Sequence, residues 1–159
     1  MPFSTADLHD ANEGRVHVVH PGFHDYGGRK SFCGPIATLK VHEDNSLVRE
    51  ALAEPGQGRV LVIDGGASMR CALVGDKLAE LGRANGWSGI VVSGCVRDAA
   101  TLARTDIGIR ALGTHPARSM KKGAGERDIP VTFSGVSFQP GAFVYADADG
   151  ILVSPVKLF

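Results

Sequence analysis

The segment Arg59-Val60-Leu61-Val62-Ile63-Asp64 holds four consecutive aliphatic side chains between charged ends. A strand with one wet face alternates apolar and polar residues. A run without alternation needs apolar partners on both faces. This segment therefore belongs inside a sheet covered on two sides, which points to a layered α/β architecture. Ile90-Val91-Val92 repeats the pattern. Between the two runs, Val74, Leu78 and Leu81 fall at helical spacing, predicting a helix from about Gly75 to Ala84 that Asn85-Gly86 ends. Strand, helix, strand is the unit from which parallel sheets are built.

The flanking segments extend this pattern. Ser4 to Asp7 can cap a helix over about Thr5 to Asn12, and Val16 to Val19 is a β-like patch. Ser31 to Val41 reads as a strand or a bent pair, interrupted by Gly34-Pro35. Asp44-Asn45-Ser46 can cap a helix over Leu47 to Ala53 that Pro55-Gly56 ends. Gly65-Gly66 predicts a turn, with Ala67 to Val74 as a short returning strand. Arg97-Asp98 opens a helix through Ala103, and Ile107 to Leu112 follows as a strand.

From Ile129 the pattern becomes β-rich. Short strands are expected at Val131 to Phe133, Val136 to Phe138, Phe143 to Tyr145 and Ile151 to Val153, separated by glycine-containing turns. No linker or compositional break divides the chain. The expectation is one α/β domain over residues 1–159, with central sheets flanked by helices, a swivelling β/β/α-like layout and a β-rich C-terminal half.

Charge and composition narrow the function. The 17 basic and 17 acidic residues balance, and no basic block beyond Lys121-Lys122 offers the footprint a nucleic-acid binder needs. No apolar stretch approaches the ~20 residues of a membrane helix. The start Met-Pro-Phe-Ser-Thr has neither a basic region nor an apolar run, so no signal peptide and a cytoplasmic location are expected. Cys33, Cys71 and Cys95 are odd in number and widely spaced, and read as free thiols rather than a disulfide or zinc framework.

Two short segments can carry chemistry. A helix start at Gly75-Asp76-Lys77-Leu78 leaves backbone N–H groups unpaired and is a ready site for a carboxylate. Taken alone, it is more simply a turn glycine and a capping acid. At Arg97-Asp98 the guanidinium suits a carboxylate or a developing enolate, and the carboxylate is a hard ligand for Mg²⁺ or Mn²⁺. Taken alone, this pair is a salt-bridged helix turn. Ligands in α/β folds sit beyond the carboxyl ends of strands, so the ends of RVLVID and GIVVSG could face one crevice.

The segments Gly27-Gly28-Arg29, Val62-Ile63-Asp64-Gly65-Gly66, Gly75-Asp76, Gly94-Cys95-Val96-Arg97-Asp98, Asp106-Ile107-Gly108-Ile109 and Pro140-Gly141 occur in the order expected of the RraA-like family. The chain resembles that family from Thr5-Ala6-Asp7-Leu8 to Asp149-Gly150. The family contains the regulator of ribonuclease activity A and the class II 4-hydroxy-4-methyl-2-oxoglutarate aldolases. Aldolase members are associated with an acidic residue, twenty intervening positions, then Arg-Asp. Asp76, Arg97 and Asp98 match that spacing.

The resemblance implies backbone substrate contacts at Gly75, Asp76, Lys77 and Leu78, a substrate and catalytic role for Arg97, proton handling by Asp76, and a divalent metal (Mg²⁺ or Mn²⁺) on Asp98. It implies a small 2-keto-acid substrate, carbon–carbon cleavage to pyruvate and oxaloacetate decarboxylation. It also implies a homotrimer or hexamer, with no nucleic acid or membrane as partner. The alternative within the family is a regulator that binds and inhibits a ribonuclease. In length the chain resembles the regulators. Longer aldolases carry extra C-terminal residues that complete the site from a neighbouring subunit.

Other signals read more plainly. His17, His20 and His24 fall on a segment broken by Pro21-Gly22, where a strand would send His17 and His20 to opposite faces. They read as separate surface residues. Val62 to Gly66 lacks the full GxGxxG context of a nucleotide loop, and Asp64 reads as a turn residue. Gly123 to Asp128 reads as a solvated loop, and Asp147 and Asp149 as turn chemistry.

Overall fold

The computed structural model describes residues 2–159. In chain order its elements are α1 (Thr5–Ala11), β1 (His17–Val18), β2 (His24–Asp25), β3 (Phe32–Lys40), α2 (Ser46–Leu52), β4 (Val60–Val74), α3 (Asp76–Ala84), β5 (Gly89–Val96), α4 (Ala99–Leu102) and β6 (Gly108–Thr114). The β-rich half adds β7 (Glu126–Arg127), β8 (Val131–Phe133), β9 (Val136–Phe138), β10 (Phe143–Ala146) and β11 (Ile151–Ser154). A nine-stranded mixed sheet runs β1-β11-β10-β3-β4-β5-β6-β2, with β7 also on β3, while β8 and β9 form a separate hairpin.

β3, β4, β5 and β6 are mutually parallel, and a helix lies in each connection between them. The predicted two-sided burial is realised residue by residue. Leu61 and Ile63 of β4, with Ile90 and Val92 of β5, pack against Val48 and Leu52 of α2 and Leu78 of α3. The alternate residues Val60, Val62 and Val91 pack on the opposite face with Phe138, Val144 and Val153 of the C-terminal strands. Burying such aliphatic side chains contributes roughly 1.5–3 kcal/mol each, so this double-faced strand pair anchors the core.

The strand-or-bent-pair at residues 31–41 is one strand with two roles. Phe32 to Pro35 pair antiparallel with β10, and Ile36 to Lys40 pair parallel with β4. β3 thereby joins the β-rich half to the parallel layer. The hairpin β8–β9 turns on Ser134-Gly135, both at positive φ (47° and 79°), the backbone pair that two-residue hairpins require.

Four expectations need correction. Gly65-Gly66 does not turn the chain back. β4 continues to Val74, parallel to β5 throughout, with register shifts between Asp64 and Val74 and with Gly66 and Ala67 at positive φ. The segment 65–70 is a bulged excursion, since residues added to one strand bend it without ending the pairing. The helix expected from Arg97 is only α4; Asp98 is left-handed (φ 60°, ψ 42°) and stands outside it.

The loop at 123–128 is not simply solvated. Glu126 and Arg127 pair with β3, and Arg127 donates to Glu54 at 2.6 Å and Glu50 at 3.2 Å. Asp147 does more than shape a turn. Its carboxylate accepts from Thr5 N (2.7 Å), Thr5 Oγ1 (2.6 Å) and Asp149 N (2.9 Å), which fastens α1 to the β10–β11 turn. The three histidines stay apart, and no cluster of three or more His, Cys, Asp or Glu suited to a metal occurs among the described residues. All three cysteines are free. No helix among the described residues is long and apolar enough to cross a membrane.

Candidate active site

Val74 and Val96 are partners at the carboxyl ends of β4 and β5. The residues that follow each strand therefore meet. Gly75 caps α3, and Arg97 N donates to Val74 O at 2.9 Å. Because β4 runs on past its bulge, the crevice opens at Gly75 rather than at Gly65-Gly66.

Close contact fixes the meeting. Asp98 Oδ2 accepts from Asp76 N at 2.9 Å, so the carboxylate rests on the first amide of α3. Negative charge at a helix start is favoured by the unpaired amides and the helix dipole. A Cβ on Gly75 would lie 2.7 Å from Asp98 Oδ2 and 3.3 Å from Arg97 Cγ. Gly75 has φ −126°, so its value here is the absent side chain and not an unusual backbone angle.

Lys77 N donates to Asp76 Oδ1 at 2.8 Å. Two of the helix-start amides are thus engaged within the protein, leaving the buried Leu78 N–H without a protein acceptor among the described residues. Arg97 is half-buried and its Nη1 donates to Pro116 O at 3.3 Å.

The cleft, about 240 Å³, gathers all the residues singled out in the sequence: Gly75, Asp76, Lys77, Leu78, Arg97 and Asp98. Sequence reasoning missed its other wall, formed by Asn45, Arg49, Arg118 and Lys121. The segment 117–124 reaches the cleft through long-range bonds with no local signature: Ala72 N to Ala117 O (2.8 Å), Met120 N to Glu43 O (2.9 Å) and Lys122 N to Asp44 Oδ2 (2.7 Å). A pairing hint existed only in the polar trio Asp44-Asn45-Ser46, read there as a helix cap. Asp44 is in fact the capping side chain, accepting from Ser46 N at 2.9 Å, while Asn45 makes no side-chain cap.

Asp44 is buried, and burial pushes its carboxyl pKa upward. Hydrogen bonds from Ser46, Lys122 and Ala124 outweigh that effect and bring it from 3.8 to about 2. The fold favours the charged form, so the stabilisation is complete above pH 3.8 and is lost as pH falls through about 2. Denaturant melts between about pH 5 and pH 2 are expected to show a loss on the order of 2 kcal/mol from this group. Asp44→Asn will flatten that part of the profile. An unchanged profile would show that the carboxylate has no such linkage.

Five cations, Arg49, Lys77, Arg97, Arg118 and Lys121, face two carboxylates, Asp76 and Asp98, in this cleft. The excess of three positive charges suits an anionic ligand. Asp98 is exposed and its Oδ1 accepts no hydrogen bond among the described residues. One or two carboxylates with open positions do not form a protein cage. They fit a hard divalent ion that keeps water and takes substrate oxygens.

The structure therefore defines an α/β protein with a cationic cleft at the carboxyl edge of its parallel strands, in which Asp76 and Asp98 are the two acids. A family model described as RraA-like, Aldolase/RraA, matches residues 5–153, and the chain belongs to the RraA-like family. A protein of Aromatoleum aromaticum named "Putative 4-hydroxy-4-methyl-2-oxoglutarate aldolase" is 62% identical over 99% of both chains. One of Alkalilimnicola ehrlichii with the same name is 58% identical, over 97% of this chain and 96% of the relative.

Among solved structures, a Geobacillus kaustophilus protein called S-adenosylmethionine: 2-dimethylmenaquinone methyltransferase aligns with TM-score 0.96 and 47% identity, over 98% and 97% of the two chains. A Thermus RNA-processing inhibitor RraA aligns with TM-score 0.94 and 44% identity, over 98% and 94%. The length expectation is corrected by these relatives. Proteins bearing the aldolase name are as short as this one, so length does not mark a regulator.

Proposed function

We propose that the protein is a divalent-metal-dependent aldolase that cleaves 4-hydroxy-4-methyl-2-oxoglutarate to pyruvate and decarboxylates oxaloacetate. The observation that carries this reading is the contact between Asp98 and the start of α3, with Arg97 beside it in a cleft of net positive charge. Relatives that bear the aldolase name at 58–62% identity support it.

Asp98 would hold Mg²⁺ or Mn²⁺, with Asp76 next to it. When bound, the ion supplies Lewis-acid polarisation of the substrate's keto group. The chain's own groups do the rest. The Leu78 amide and the α3 dipole receive the carboxylate next to the keto group. Asp76, through a water, takes the proton of the C4 hydroxyl as the C3–C4 bond breaks. The bond's electron pair moves to C3 and gives the enolate of pyruvate, while C4 becomes the carbonyl of a second pyruvate. Arg97 stabilises the enolate charge, and protonation at C3 completes the turnover. With oxaloacetate the same bond break releases CO₂.

A coupled assay of pyruvate release tests the proposal, using both substrates with Mg²⁺ and with a chelator. Release that depends on the ion is expected, and its absence with both substrates would rule the activity out. Arg97→Ala is expected to lower kcat far more than it raises KM, because the enolate charge exists chiefly in the transition state. Gly75→Ala adds a Cβ that pushes Asp98 and Arg97 aside. It will cost roughly 10²-fold in turnover with little change in melting temperature, since Asp98 is the exposed end of a movable side chain. Full activity in that variant would show that the close approach is dispensable. Light scattering checks the trimer or hexamer that the family implies.

The regulator reading draws on the Thermus relative's name, but binding a ribonuclease by surface contact gives no role to Asp76 and Asp98 in a cleft. Methyl transfer finds no support in the glycine segment. A Cβ on Gly65 would lie 2.7 Å from Leu73 Cδ1 and from Ser93 O, so Gly65 serves internal packing, while Gly66 supplies the positive φ of the bulge.

A further inference from the structure

The aldolase reading uses Asp76, Leu78, Arg97 and Asp98. It leaves Arg49 and Arg118 on the opposite wall without a role. Neither has a carboxylate within ion-pair distance among the described residues, a state they share with Arg15, Arg59, Arg97 and Arg104; what sets them apart is that they stand together, with Arg97, in one cleft. Lys121, their neighbour, already donates to Asn45 Oδ1 at 3.2 Å. Two unpaired guanidinium groups brought to one cleft repel each other, and an anion relieves that repulsion.

Their placement is built into the fold. Arg49 comes from α2. Arg118 comes from the segment 117–124, which is fastened at both ends. Ala117 O accepts from Ala72 N, and Asp44 Oδ2 accepts from Lys122 N at 2.7 Å and Ala124 N at 3.4 Å. Asp44 also fixes the start of α2 through Ser46 N and Ser46 Oγ. One buried carboxylate therefore positions both elements that carry the arginines. Arg118 and Lys121 also line a second hollow along residues 118–122.

We propose that Arg49 and Arg118 hold the distal carboxylate of a 2-keto dicarboxylate, and that Asp44 is the positioning residue of this subsite. The proposal rests on the 2-keto-acid reading of the cleft. Guanidinium forks suit a carboxylate better than point charges do, because two parallel hydrogen bonds fix its orientation.

The test is calorimetric binding in Mg²⁺ of pyruvate and of 2-oxoglutarate, which carries a second carboxylate but lacks the 4-hydroxyl needed for cleavage. The full chain is expected to bind 2-oxoglutarate about tenfold or more tighter than pyruvate. Arg118→Gln and Arg49→Gln will each lower that ratio severalfold, and Arg118→Lys will restore part of it. Asp44→Asn will lower the ratio as well. A merely structural Asp44 would weaken both ligands together and leave the ratio unchanged, which would overturn its positioning role.

A wild-type ratio near one, or a ratio unmoved by Arg118→Gln, would overturn the subsite while leaving the 2-keto-acid reading in place. Binding of neither ligand would overturn that reading and the subsite with it. Arg118 is exposed, so its variants remain informative even if Asp44→Asn fails to fold.

Discussion

Asp98→Ala is expected, on the proposed role of Asp98 as the metal-holding residue, to lower pyruvate release by something on the order of 10³-fold or more, because losing Lewis-acid catalysis forfeits several kcal/mol of transition-state stabilisation. Two other effects of the substitution have to be separated from this one. Asp98 is left-handed (φ 60°), a conformation that costs alanine about 1 kcal/mol or more. Its carboxylate also holds the Asp76 amide at 2.9 Å.

Asp98→Asn resolves both. Asparagine tolerates the left-handed region, and its amide oxygen can still accept from Asp76 N. It lacks the charge that a hard cation needs. The asparagine variant is therefore expected to keep the wild-type melting temperature and to lose turnover almost as completely as the alanine variant. Pyruvate release near the wild-type rate in Asp98→Asn, measured with and without chelator, would move the metal to another residue.

Gly108→Ala will have the largest effect on stability. Gly89 of β5 and Gly108 of β6 are register partners, and the ring of Phe32 lies on both. A Cβ at either position would run into that ring. The guanidinium of Arg110 stacks over the same ring, 5.2 Å from its centroid. Arg110 Nη2 in turn donates to Lys30 O at 2.7 Å and Asp147 O at 3.2 Å. Phe32 is thus confined between a bare stretch of two strands and an arginine that is itself held.

The ring has no free direction in which to yield, so the added methyl is expected to cost about 3 kcal/mol, the upper end of core overpacking. For a chain of this size that is a drop of roughly 6–12 °C in melting temperature. Phe32→Leu combined with Gly108→Ala is expected to recover part of the loss, since a smaller side chain vacates the space. A melting temperature unchanged by Gly108→Ala would show that the ring can move. Activity at low temperature serves as a control, because this contact lies on the far side of β5 from the helices that frame the cleft.

The parallel layer was legible because its signal is local. Four aliphatic residues in a row at Val60 to Ile63 need apolar cover on both faces, and the spacing of Val74, Leu78 and Leu81 fits α3. The hairpin at Ser134-Gly135 was legible for the same reason, since its two positive φ angles follow from the turn itself. The bulge in β4 was not. A glycine pair after a strand fits a reversing turn as well as a bulge, and the choice was made by continued pairing with β5, twenty or more residues away in the chain.

The site divides in the same way. The sequence by itself singled out the residues of the proposed chemistry: a glycine and an acid at a helix start, and an adjacent arginine and acid at a strand end, at a spacing that resembles the aldolases of this family. Only the tertiary structure decided that Gly75 and Arg97 touch, because Val74 and Val96 happen to be register partners. It alone supplied the second wall. Arg49 and Arg118 lie 26 and 42 positions from Gly75 and Asp76, on opposite sides in sequence, and no local pattern connects them. A buried carboxylate at Asp44 joins them, through hydrogen bonds to amides some 80 residues away. Periodicity and capping report on neighbours along the chain, whereas a binding site is made by whatever the core brings together.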